Sequence, residues 1–165
     1  MTAPVVHDTI VVERRFQVEP ATVFAAFADA AQRARWHFPG DDWVLAEFEQ
    51  DFRVGGREHS LFGPEGAPNL RAEGRFLDIV ADRRIVSAGT MHEDGVRISM
   101  TLCTVEIEPD GAGSRLRLTD QSAFLDGRER PEERRDGWGK ILERLASVLG
   151  VTARPLDTPP ADGPH

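Results

Sequence analysis

Trp138-Gly139-Lys140-Ile141-Leu142-Glu143-Arg144-Leu145-Ala146-Ser147-Val148-Leu149 decides how the rest of the chain must fold. Trp138, Ile141, Leu142, Leu145, Val148 and Leu149 recur at i, i+3, i+4 and i+7 as one apolar stripe, while Lys140, Glu143 and Arg144 face away. The spacing predicts a long amphipathic helix from around residue 128 to 149, ended by Gly150. Gly137 and Gly139 flank Trp138 inside it, each costing about 1 kcal/mol against alanine, which points to close packing or a local distortion there. The charged run Arg128 to Asp136 reads as the solvated start of this helix.

Such a stripe has to be buried, and nearly everything upstream is β-like. Thr9 to Val18 alternates, with Ile10, Val12, Phe16 and Val18 on one side, as a half-buried first strand should. Pro20 suits a first helical turn, and Val23, Phe24, Phe27, Ala28 and Ala31 share a face, predicting one helix or two short ones over residues 20 to 36. In a second strand Val44, Ala46 and Phe48, continuing towards Phe52, point one way and Leu45, Glu47, Glu49 and Asp51 the other. Further strands fit Arg57 to Phe62, Arg71 to Val80, Arg84 to His92, Val96 to Glu108 and Ser114 to Phe124. The breaks between them, such as Gly63 to Pro68 and Pro109 to Gly113, are short and rich in turn residues. The Gly55-Gly56 pair reads as a tight turn, since it lacks the spacing of a phosphate loop.

This order is α+β: a strongly curved antiparallel sheet of about seven strands around a long C-terminal helix, with a short helical pair after strand one. Sequential hairpin-linked strands twist and curl, so a helix seated across them leaves the groove incompletely filled. A cavity between sheet and helix is the expected product.

The chain of 165 residues suits one domain, expected over 9–150, with an extension at 1–8 and a mobile Pro-rich tail at 151–165 that has too few apolar residues to pack. With 40% apolar and 29% charged residues the composition is that of a soluble globular protein, and no apolar run is long enough to span a membrane. A net charge of -8 without a clustered basic face argues against nucleic-acid binding. A single cysteine, Cys103, excludes an internal disulfide, and the first residues lack a secretory signal, so the cytoplasm is the expected compartment.

Several pieces of the chain, in order, resemble one superfamily. They are Glu13-Arg14-Arg15-Phe16 with Pro20 and Val23-Phe24, Trp36, the turn Asp51-Phe52-Arg53-Val54-Gly55-Gly56, Glu73-Gly74-Arg75-Phe76 with Asp82-Arg83-Arg84-Ile85-Val86, and Gly137-Trp138. Together they resemble the SRPBCC superfamily, the START-like helix-grip proteins, and within it the bacterial-type branch related to the activator of heat-shock-protein-90 ATPase. The resemblance implies the fold just described and a hydrophobic internal pocket, while activities across the superfamily differ.

The five histidines are dispersed without metal-ligand spacing, no serine sits in a nucleophile elbow, and no cofactor or metal is expected. Phe24, Phe27, Trp36, Phe48, Phe76 and Trp138 are aromatics that either line the cavity or fill the core, and Met100 joins them as an apolar lining candidate. His59 and His92 lie on strands where an imidazole could orient a ligand or shuttle a proton, against the plainer reading of surface or satisfied core residues. Arg75 and Asp120 are polar candidates for fixing a ligand's orientation, against a surface charge or an internal ion pair. Alternation leaves their facing open, because bulges in curled sheets shift it.

Three functions follow. The first is a binding module for a small apolar or amphipathic molecule held between sheet and helix. The second is an enzyme of the polyketide cyclase or dehydrase kind, in which a pocket His or Asp moves protons. The third is a chaperone partner, on the branch name alone. Nucleic acid and membrane are not expected partners, and a homodimer stays open.

Overall fold

The computed structural model describes residues 3–38 and 40–156. The first strand, β1 (Val6–Phe16), is followed by the helical pair α1 (Pro20–Ala28) and α2 (Ala30–Trp36). Then come β2 (Trp43–Gln50), β3 (Arg57–Pro64), β4 (Leu70–Val80), β5 (Arg84–Glu93), β6 (Val96–Asp110) and β7 (Gly113–Phe124). The long helix α3 (Pro131–Leu149) and a two-residue strand, β8 (Arg154–Pro155), end the described chain. Among the described residues no helix is long and apolar enough to cross a membrane.

All strand pairs are antiparallel, in the order β2-β3-β4-β5-β6-β7-β1-β8, and the curved, open sheet wraps α3 as a helix-grip fold. Neighbours in sequence are neighbours in space from β2 to β7, which short turns such as Asp94-Gly95, both at positive φ, make possible. β1 closes the far side by pairing along its whole length with β7, so that Ile10 lies opposite Asp120 and Val12 opposite Leu118.

α3 begins at Pro131, whose missing N–H costs nothing at a helix start, and Glu133 accepts from the Arg130 backbone N–H in a capping box. It ends at Gly150, in the left-handed region at φ 73°, where a side chain would be strained. Ile141, Leu142, Leu145 and Ala146 join Ile10, Val12, Phe16, Val105, Ile107, Leu116 and Leu118 in one buried cluster.

The structure departs from the sequence reading in three places. The described residues hold eight strands, because Val151 and Ala153 pack on the core and carry Arg154 and Pro155 alongside Arg15 and Arg14; residues 157–165, the rest of the expected tail, lie outside the described residues. In β2 the register shifts between Leu45 and Glu47, which puts Leu45, opposite Phe62, on the inner face with Phe48 and takes Ala46 out of the alternation. Within the run Arg128 to Asp136, expected to be solvated, Arg134 is buried.

Candidate functional site

Between the inner face of β2–β6 and the first half of α3 lies a cavity of about 610 Å3. It exists because the inward-facing residues of the middle strands are small: Ser60 on β3, Ala72 and Gly74 on β4, Ser87 and Gly89 on β5, Thr101 and Cys103 on β6. Gly74 and Gly89 are direct partners across β4 and β5. A Cβ on Gly89 would stand 2.2 Å from the Glu73 carbonyl and one on Gly74 2.9 Å from the Ala88 carbonyl, so the backbone itself forms a bare floor there. Trp43, Phe48, Phe62, Leu70, Met91 and Ile98 supply apolar walls, with Trp43 and Phe62 in contact at 5.9 Å between ring centroids. Trp138 and Ile141 of α3 and His37, just past the end of α2, close the top.

Two buried polar networks border this space. At one, Arg33 of α2 is only 7% exposed and donates from Nη1 to the Glu58 carboxylate and the Gln50 amide oxygen, each at 2.6 Å. Gln50 Nε2 in turn donates to the Phe27 and Ala28 carbonyls, 2.9 and 3.1 Å away, which tethers the end of α1 to β2. His37 Nε2 lies 3.5 Å from Arg33 Nη2, and burial together with the Arg33 charge holds this imidazole well below its ordinary pKa.

At the other, Asp120 is 0% exposed and accepts from Arg134 Nη1 at 3.1 Å, from Trp138 Nε1 at 2.8 Å and from the Ser122 hydroxyl. Arg134 further donates to Glu129 at 2.5 and 2.7 Å, to Ser99 at 2.8 Å and to Thr101 at 3.0 Å. Burial works against its charge, but the Glu129 and Asp120 carboxylates more than offset that and raise its pKa above the ordinary arginine value. Burial, with Asp120 nearby, pushes the Cys103 thiol up to about 12, so it faces the cavity as an inert neutral group.

The candidates picked from sequence separate into distinct environments. Phe48 and Trp138 face the cavity, Trp138 with its polar edge tied to Asp120. Phe24, Phe27, Trp36 and Phe76 are core instead: Phe27 meets Trp36 at 4.7 Å, and Phe52 bridges Phe24 and Phe76 at 5.6 and 5.0 Å. His59 borders the cavity from β3, but its ring turns to the outer face, 3.5 Å from Glu47 and 3.7 Å from Glu49. Arg75 and His92 face outwards as well, because they alternate along β4 and β5 with Gly74, Phe76 and Met91, which hold the inward positions. Met100 is 40% exposed on the outer face, since Ser99 and Thr101 beside it reach Arg134. Asp120, expected as a ligand contact or an ion pair, is an ion pair sealed by its partners.

Arg33, Gln50, Glu58, Glu129 and Arg134 were not among the sequence candidates. One signal for the site was readable: small residues two apart, Ala72 with Gly74 and Ser87 with Gly89, on strands that otherwise carry large side chains.

Comparison with known proteins follows the same architecture. The protein Mll3558 from Rhizobium loti is similar at 44% identity and a TM-score of 0.81, covering 89% of this chain and 100% of its own. A protein from Rhizobium leguminosarum matches at 28% identity and a TM-score of 0.83, over 91% of this chain and 98% of its own. The AHSA1 protein from Silicibacter pomeroyi, at 23% identity and a TM-score of 0.70 over 87% of this chain and 98% of its own, shares the fold. No curated protein matches the chain. A family profile covers residues 17–150. The chain therefore belongs to the family of Activator of Hsp90 ATPase homolog 1-like proteins, a branch of the SRPBCC superfamily.

Proposed function

We propose that this protein binds a small apolar or amphipathic molecule in the cavity between β2–β6 and α3. The observation that carries the reading is the cavity itself: about 610 Å3, the size of ordinary small-molecule sites, with apolar walls and a floor of residues too small to fill it. A space of that volume, lined on one side by Trp138, Ile141 and Phe62, lacks the packing that large side chains would supply. A ligand restores it. The enzymatic alternative asked for His59, His92 or Asp120 beside open volume; the two imidazoles face outwards and Asp120 is committed to Arg134, Trp138 and Ser122, which favours binding over proton transfer by these groups.

Titration with the neutral fluorophore N-phenyl-1-naphthylamine tests this. Saturable one-site binding is expected, and Ala72→Phe, which puts a ring on the cavity floor, should weaken it about tenfold or more while circular dichroism stays unchanged. Equal binding by a folded Ala72→Phe variant rejects the cavity as the site.

A further inference from the structure

Among the polar atoms that border the cavity, a carboxylate oxygen is left free to accept. Glu58 points inwards from β3 opposite Gly74, and its Oε2 is held by Arg33. Its Oε1 makes no hydrogen bond among the described residues, is not sealed from solvent, and lies 3.5 Å from where a Gly74 side chain would begin. Glycine at that position is what leaves the carboxylate a free side.

Both buried guanidinium groups at the cavity are already engaged with carboxylates. Arg134 donates from all three nitrogens, to Glu129, Thr101, Asp120, Ser122 and Ser99. Arg33 uses Nη1 on Gln50 and Glu58 and sets Nη2 against His37, and its Nε is enclosed. At the mouth Arg128 sits 3.5 Å from Glu93, and Lys140 is exposed to water, where its charge is screened. Arg33 with Glu58 is neutral overall, and Arg134 with Glu129 and Asp120 carries one excess negative charge. A ligand carboxylate would meet Glu58 and Glu129 beside guanidinium groups that these carboxylates already hold, which is a like-charge contact.

Resting on the reading of the cavity as a binding site, we propose that Glu58 Oε1 is its polar anchor. The preferred ligand is then an apolar body carrying a hydrogen-bond donor, best a protonated amine and next a hydroxyl, and carboxylate amphiphiles are discriminated against. Arg33 is a positioning residue: fixed through Gln50 to the end of α1, it holds the Glu58 carboxylate in one orientation before the ligand arrives.

Calorimetric titration with decylamine, decanol and decanoate below their micelle concentrations at pH 7 tests this. Decylamine should bind about tenfold or more tighter than decanoate, with decanol between, because only the amine and the alcohol can donate a hydrogen bond to the Glu58 carboxylate and the amine adds its charge. Glu58→Gln should collapse the amine-to-acid ratio. Should the lone Arg33 unfold that variant, the double substitution Arg33→Leu with Glu58→Leu removes the pair without stranding a charge and should abolish the ratio too. Decanoate binding as tightly as decylamine, or a ratio unchanged in either folded variant, overturns the anchor while leaving the cavity reading standing. Binding of none of the three overturns both.

Discussion

The two halves of α3 lie over the same sheet and do opposite things. From Ile141 onwards the helix buries Leu142, Leu145 and Ala146 in one cluster with aliphatic residues of β1, β6 and β7. From Pro131 to Lys140 it faces Ser60, Ala72, Gly74, Ser87 and Gly89, and the space stays open. Ile141 stands on the boundary, a member of the buried cluster that also lines the cavity. The difference lies in the strands: large inward residues close one end of the groove and small ones leave the other hollow. With fewer apolar partners, the first half is held by polar ties as well, with Arg134 and Trp138 both fastened to Asp120.

That contrast predicts unequal costs. Leu142→Ala, in the filled half, should lose about 2–5 kcal/mol in urea unfolding, the transfer of a buried leucine plus the hole it leaves. Arg134→Leu should cost about 3 kcal/mol, since it strands the Asp120 charge with only Trp138 and Ser122 to satisfy it. The double variant Arg134→Leu with Asp120→Leu should regain most of that loss; no recovery would show that the ties do not act as a pair. Ala72→Phe, in the hollow half, should stay within about 1 kcal/mol of the parent because it enters vacant space. A penalty as large as that of Leu142→Ala would mean the floor is as tightly packed as the core.

How far these halves were readable beforehand differs for a physical reason. The filled half announces itself by periodicity: the stripe Ile141, Leu142, Leu145 and the alternation Leu116, Leu118 are local patterns, and burial enforces them. The hollow half depends on facing and on pairing across the sheet. One bulge at Ala46 breaks the alternation of β2, and on the other strands alternation does not say which of its two faces is the inner one: Arg75, His92 and Met100 are outside while Cys103 and Met91 are inside. Arg134 was hidden in a charged run because its partners are Glu129 nearby and Asp120, Ser99 and Thr101 on distant strands. Aromatic residues were the weaker guide, since Phe27, Trp36 and Phe76 fill the core that braces α1 and α2.

The smallest expected effect sits at the mouth of the hollow half. His37 is half-buried against Trp36, 5.6 Å away, with Trp138 at 6.1 Å and Arg33 alongside, and burial and that guanidinium both resist its protonation. In the unfolded chain the same ring titrates at about 6.5. Below that pH the unfolded state takes up a proton that the folded state refuses, so stability falls as pH drops through 6.5 and on towards the lowered folded value. The slope from this one group is at most about 1.4 kcal/mol per pH unit. His37→Gln keeps a neutral polar side chain and removes the titration, so its unfolding free energy should run parallel to the parent's above pH 7 and fall less steeply below 6.5. Parallel behaviour down to pH 5 would mean that the ring takes its proton as easily in the fold as out of it, and that the mouth of the cavity is wetter than its neighbours Trp36 and Trp138 imply.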